Sequence, residues 1–169
     1  MIKLLFVLVA LMPALASLPS SYAPPKYAGH WKLNREKSEG LTGGLAGAEI
    51  LLIVSQDDRK IFVEQKVKIR GHQQPSQELI WNLDGSETSA EVSRPMAGTM
   101  SLKARWLENL RTLELYSSIT GNDQGKEVAV VTKESWELLN NGKSLRILRS
   151  RNAPQGRQTF KLHFDRIDP

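Results

Sequence analysis

Apolar and polar residues alternate with a period of two along most of this chain. In KIFVEQKVKIR, residues 60–70, Ile61, Val63, Val67 and Ile69 fall on one side, and Glu64, Lys66, Lys68 and Arg70 on the other. FKLHF repeats the pattern with Phe160, Leu162 and Phe164 against Lys161 and His163, and Met100, Leu102, Ala104 and Trp106 alternate with Ser101, Lys103 and Arg105. Successive side chains leave a strand on opposite sides, so this spacing produces a sheet with one apolar and one wet face. A helix with the same composition would smear those residues around its whole circumference.

Turn residues cut the alternation at regular intervals. Asp57-Asp58, Gly71 to Ser76, Asp84-Gly85, Arg94-Pro95 to Gly98, Glu108-Asn109, Gly121 to Gly125, Asn140-Asn141-Gly142 and Pro154-Gln155-Gly156 are the separators. Asp-Gly and Asn-Gly pairs tolerate the positive φ of tight hairpins. The separators predict strands at 29–34, 48–56, 60–70, 77–83, 87–93, 98–106, 110–119, 126–139, 143–152 and 157–167. Short links make consecutive strands antiparallel neighbours. Residues 35–47 hold Gly40, Gly43, Gly44 and Gly47, too many glycines for a helix. They read as a mobile loop, either a linker between two strands or a flap over a cavity mouth. The expected fold is all-β, an antiparallel up-and-down meander closed into a barrel of about 8–10 strands. Closure removes exposed edges; a sandwich of two stacked sheets is the alternative.

The N-terminus has the layout of a secretory signal peptide: Lys3, an apolar run from Leu4 to Met12, and Ala14-Leu15-Ala16 as a small-x-small cleavage pattern. The predicted organisation is a signal peptide at 1–16 (alternatively ending at 23), an N-terminal extension at 17–28, and one β-barrel domain at 29–169. After cleavage no apolar stretch is long enough for a helical membrane span. There is no cysteine, which excludes disulfides, thiolate metal sites and a cysteine nucleophile. Export without disulfides points to a periplasmic or secreted protein of bacterial type. The net charge of +5 is spread along the chain in mixed sign, and no nucleic-acid-binding motif accompanies it. A monomer that binds no nucleic acid is expected.

Closing an even-stranded meander brings the start of its first strand beside the end of its last. Trp31 then plugs that end, Gly29 gives the backbone freedom there, and Arg166, in phase with Phe160, Leu162 and Phe164, arrives beside the indole. This set, G-x-W on the first strand with an Arg near the end of the last, resembles the calycin signature shared by lipocalins and fatty-acid-binding proteins. The pattern GHWKLNREKS with a closing FDR also resembles secreted bacterial lipocalin-like proteins of unknown function. The resemblance spans the mature chain in layout and three residues, Gly29, Trp31 and Arg166, in motif. It implies a calycin-type barrel. The chain departs from those families in lacking cysteines, a C-terminal helix and a helical lid.

Catalytic motifs are missing: there is no G-x-S-x-G, H-E-x-x-H or phosphate-binding glycine loop. His30, His72 and His163 are scattered without metal-ligand spacing, so neither metal nor cofactor is predicted. In SLRILRSRNA, Leu145 and Ile147 point inward and the same parity carries Arg149 and Arg151. They are candidates to bind a carboxylate or phosphate, or they reach water at the rim. Glu134, in phase with Val128, Val130 and Trp136, is either an internal carboxylate or a strand-end charge. Trp81, Trp106 and Trp136 are elements of a solid core or of a pocket wall; Trp106 and Trp136 join Arg149 and Arg151 as candidate ligand-binding residues. The leading functional expectation is a non-enzymatic exported binder of a small hydrophobic or amphipathic ligand, such as a fatty acid or lipid. A second is a surface that binds an envelope polysaccharide or partner protein through the outer row Lys66, Lys68, Arg70, Lys103 and Arg105. A third is a haem-binding or enzymatic barrel, which requires His163 to turn inward.

Overall fold

The computed structural model describes residues 23–93, 96–108, 110–123 and 126–167. The expected signal peptide lies outside the described residues. The chain forms β1 (Gly29–Glu39), β2 (Glu49–Gln56), β3 (Lys60–Ile69), β4 (His72–Gln73), β5 (Gln77–Asn82) and β6 (Thr88–Val92). Then follow β7 (Gly98–Trp106), β8 (Thr112–Asp123), β9 (Lys126–Leu139), β10 (Ser144–Ala153) and β11 (Gly156–Ile167). Two 3-10 turns, Gly43–Leu45 and Asn140–Gly142, are the helical elements among the described residues. The fold class is the expected one, an all-β antiparallel meander. The strand order is β4-β3-β2-β1-β11-β10-β9-β8-β7-β6, with β5 on the same edge of β3 as β4.

The first and last strands pair antiparallel, with Trp31 opposite Arg166. Because paired residues project to the same face, the guanidinium carbon lies 4.2 Å from the indole centroid. Arg166 also donates to two carbonyls, from Nη1 to Ala28 at 2.9 Å and from Nε to Gly142 at 2.8 Å. It thus ties the incoming chain to the β9–β10 turn. Gly29 makes the approach possible: its φ is +142°, and a Cβ there would collide with Arg166 Nη1.

Tyr27, assigned by sequence to an N-terminal extension, is fully buried. Its ring stacks on Trp106 at 6.0 Å and meets Trp136 edge-on at 5.8 Å. Its carbonyl accepts from Trp31 Nε1 at 2.9 Å, and its hydroxyl donates to the Trp136 carbonyl at 2.7 Å. Its backbone N–H donates to Gln56 Oε1 at 2.7 Å. These aromatic residues and Arg166 seal one end of the rolled sheet.

Residues 72–73 and 121–123, expected to lie in turns, are strand, and two further details differ from the expectations. β1 runs on through 35–39, which were expected to be loop. A bulge after Asn34 keeps the strand against β11, because Ser38 Oγ accepts the His163 N–H at 2.9 Å and donates to the Asn34 carbonyl at 2.7 Å. The loop proper begins at Gly40 (φ +83°), where a Cβ would lie 2.5 Å from the Thr159 carbonyl oxygen. The second difference concerns closure: the hydrogen-bonded sheet is not closed. β5 and β6 form no ladder, and the Thr88 hydroxyl bridges them by donating to the Ile80 carbonyl at 2.7 Å. The physical cause lies in β6, whose sequence TSAEV contributes little more than Ala90 and Val92 as apolar surface to draw it onto β5. Glu78 of β5 and Glu91 of β6 also border the cleft at this seam, and like charges on facing edges oppose pairing.

Two stability measurements follow. Trp31→Ala should cost on the order of 3–5 kcal/mol in denaturant unfolding, and an unchanged midpoint would remove the plug from the account. Burial, the largest influence, pushes the Tyr27 hydroxyl above its ordinary value; a backbone hydrogen bond at Leu113 opposes this and Glu137 adds to it. A folded-state value above the unfolded one, about 10, contributes stability that is complete below that pH and lost as pH rises through it toward the folded value. Tyr27→Phe should therefore flatten the alkaline decline in stability above about pH 10, measured as melting temperature against pH.

Candidate functional site

Within the rolled sheet, away from the aromatic seal, is a cavity of about 390 Å³. This volume is at the lower end of the range of about 300–1,000 Å³ usual for small-molecule sites. The alternation of the strands builds its walls. Leu52 and Val63 come from β2 and β3, Leu79 and Trp81 from β5, Met100 from β7, and Leu115 and Ile119 from β8. Val130 and Trp136 of β9 and Phe160 of β11 complete the apolar lining. Leu45, from the 3-10 turn in the glycine-rich segment, also borders the cavity.

Polar side chains enter the lining from two ladder rows. One row runs from Phe160 through Arg149 and Glu134 to Leu115. Arg149 Nε donates to Glu134 Oε1 at 2.6 Å, and Trp136 Nε1 donates to Glu134 Oε2 at 2.7 Å. Both side chains of the pair are mostly buried, Arg149 at 20% and Glu134 at 14% exposure. Glu134 is therefore the internal carboxylate of the two sequence readings, and each of its oxygens has a donor. The partnering follows from register: Arg149 and Glu134 are directly opposed, while Trp136 lies two residues along the same face.

The next row joins Gln158, Arg151, Thr132 and Ser117. Arg151 Nη1 donates to Gln158 Oε1 at 3.3 Å, and among the described residues no carboxylate lies within ion-pair distance of it. Gln65 and Gln77 border the same cavity from β3 and β5.

Of the residues singled out from the sequence, Arg149, Arg151 and Trp136 thus meet at the cavity. Trp106 is placed elsewhere, stacked on Tyr27 in the sealed end. Trp81 lines the wall and donates from Nε1 to the Tyr116 carbonyl at 3.2 Å. His163 lies half-buried on the outer side of β11, opposite Asn34 and Arg146. Burial, then Lys161, Arg146 and Lys37, lower its basicity. The outer basic row is largely matched by carboxylates: Lys66 with Glu64 at 3.2 Å, Lys103 with Glu87 at 2.9 Å, and Arg105 with Glu114 at 2.6 Å. The sequence reading did not identify Gln65, Gln77 and Gln158 as lining residues. Their inward parity was visible in the alternation, but glutamine carries no chemistry that marks it out.

No protein-family model matches the chain, and no curated protein matches it in sequence. Among solved structures it is similar to zebrafish ileal bile acid-binding protein, crystallised with cholic acid. The TM-score is 0.46 at 11% identity, over 83% of this chain and 98% of that one.

The Arg149–Glu134–Trp136 chain predicts a specific mutational pattern. Arg149→Met leaves a mostly buried carboxylate without its cation and should cost about 1–3 kcal/mol. Adding Glu134→Gln to that variant removes the orphaned charge and should recover part of the loss. Additive losses in the double-mutant cycle would show that the pair is uncoupled.

Proposed function

We propose that this protein is a non-enzymatic, exported binding protein that holds one small amphipathic molecule, such as a fatty acid or related lipid, inside its rolled sheet. The observation that carries this reading is the cavity. Its walls are predominantly apolar, it is sealed at one end by packed aromatic rings, and a few polar groups converge on one part of it. Burying an alkyl chain against Leu79, Leu115, Val130 and Phe160 supplies the driving force, at roughly 0.8 kcal/mol for each methylene removed from water. The row of Gln158, Arg151, Thr132 and Ser117 then orients the ligand.

A binding role is consistent with the lining among the described residues, where the one acidic side chain is engaged by neighbours. The Glu134 carboxylate, the acidic group in the lining, has a donor on each oxygen, Arg149 on one and Trp136 on the other, which leaves neither oxygen free to meet a substrate. The signal-like N-terminus supports export to the periplasm or the medium, where a carrier for poorly soluble molecules has a task.

Native mass spectrometry of gently purified protein should show a co-purified mass in the range of a lipid. After delipidation, the protein should bind a fluorescent fatty acid at one site. A protein that is empty on isolation and takes up none of a panel of fluorescent fatty acids would sink this reading.

A further inference from the structure

The cavity contains two inward arginines, and their surroundings differ. Arg149 is neutralised by Glu134, whose carboxylate is held in turn by Trp136. An incoming anion near Arg149 would also face that fixed negative charge at close range, in a mostly buried setting where screening is weak. Among the described residues, Arg151 has the neutral amide of Gln158 as its hydrogen-bond partner and no carboxylate in ion-pair range. The cavity lining thus carries one uncompensated positive charge, and it belongs to Arg151.

Position along the strand matters as much as charge. Arg151 lies two residues beyond Arg149 on β10, about 7 Å nearer the open end at the rise of an extended strand. It comes just before the hairpin turn at Pro154-Gln155, at the rim of β10 and β11. Arg149 lies one row deeper, beside Phe160 and Leu115. On the strands flanking Arg151 the lining supplies the uncharged hydrogen-bonding groups Gln158 and Thr132, and Gln65 and Gln77 line the same cavity from β3 and β5. Deeper down, Trp81 and Trp136 stand at the end toward the aromatic seal.

We infer that the ligand is a single-headed monoanion that binds with its carboxylate at the mouth on Arg151 and its apolar tail directed inward toward Trp81 and Trp136. This rests on the cavity-binding reading above and deepens it. The Arg149–Glu134 pair is then a positioning element: it fixes the Trp136 ring and supplies no free charge to the ligand. A dianion, or a ligand with a second anionic group at its far end, is disfavoured because no second free cation lines the cavity among the described residues.

The test compares a fluorescent long-chain fatty acid with its methyl ester, which keeps the tail and loses the charge. A charge-assisted hydrogen bond to Arg151 predicts that the wild type prefers the acid by about tenfold or more. In Arg151→Met that ratio should fall to within about twofold, and Arg151→Gln should do the same should the Met variant fold poorly. The neutral double variant Arg149→Met/Glu134→Gln should retain the acid preference. Orientation is read separately with brominated fatty acids: bromine near the methyl end should quench the Trp81 and Trp136 emission more than bromine near the carboxylate.

The opposite pattern, with the preference kept in Arg151→Met and lost in the double variant, would place the head deep and overturn the inference. Equal wild-type affinity for acid and ester would also overturn it while leaving the cavity reading intact. Binding of neither probe would remove the cavity reading, and this inference with it.

Discussion

The architecture depends on one contact between the two ends of the chain. Arg166, near the end of β11, lies over the indole of Trp31, near the start of β1, and donates to carbonyls on either side of it. A meander of hairpins specifies each strand's neighbour locally, and its first and last strands are left to find one another across the whole chain. The contact that joins them has the longest loop to close and the largest entropic cost to offset. Placing a fully buried tryptophan there concentrates much apolar area where it is needed. The cation on its face and the hydrogen bonds of Tyr27 then define the geometry.

Sealing one end has a consequence for the other. Tyr27, Trp31, Trp106 and Trp136 fill the interior at the Arg166 end with large rings. Further along the rolled sheet the inward residues are mostly aliphatic or polar, and the space is not filled. The cavity is therefore the part of the interior beyond the packed aromatic cluster, with Trp81, Trp136 and Phe160 in its wall. Trp136 belongs to both regions: its ring meets Tyr27 on one side and its Nε1 donates to Glu134 on the other. Through it, the structural seal and the polar row of the cavity are mechanically joined.

The seam between β5 and β6 is the weakest part of the enclosure. It is bridged by a side-chain hydroxyl instead of a ladder, while on the far side of the sheet β8, β9, β10 and β11 are paired over long registers. Local opening free energy follows the density of such bonds. Local opening is accordingly least costly along this seam.

Period-two alternation determined most of the strands. The predicted ranges for 60–70, 98–106, 126–139 and 157–167 match β3, β7, β9 and β11 to within a residue, because a half-buried sheet requires that pattern and little else produces it. Parity likewise put Arg149, Arg151 and Glu134 in phase with inward residues, and left open whether the arginines reach water at the rim and whether Glu134 is a strand-end charge. What only the tertiary structure decided depends on contacts far apart in sequence. Tyr27 sits outside any strand, so no periodicity announces that it is core. The continuation of β1 to Glu39 rests on Ser38 bridging to His163, more than a hundred residues away. The open seam reflects an absence of sufficient apolar surface on β6, which a turn signal at Asp84-Gly85 does not reveal. The difference between the two arginines is of the same kind. In sequence they are equivalent inward cations on one strand; register places a β9 carboxylate opposite Arg149, and gives Arg151 Thr132 on β9 and the Gln158 amide on β11.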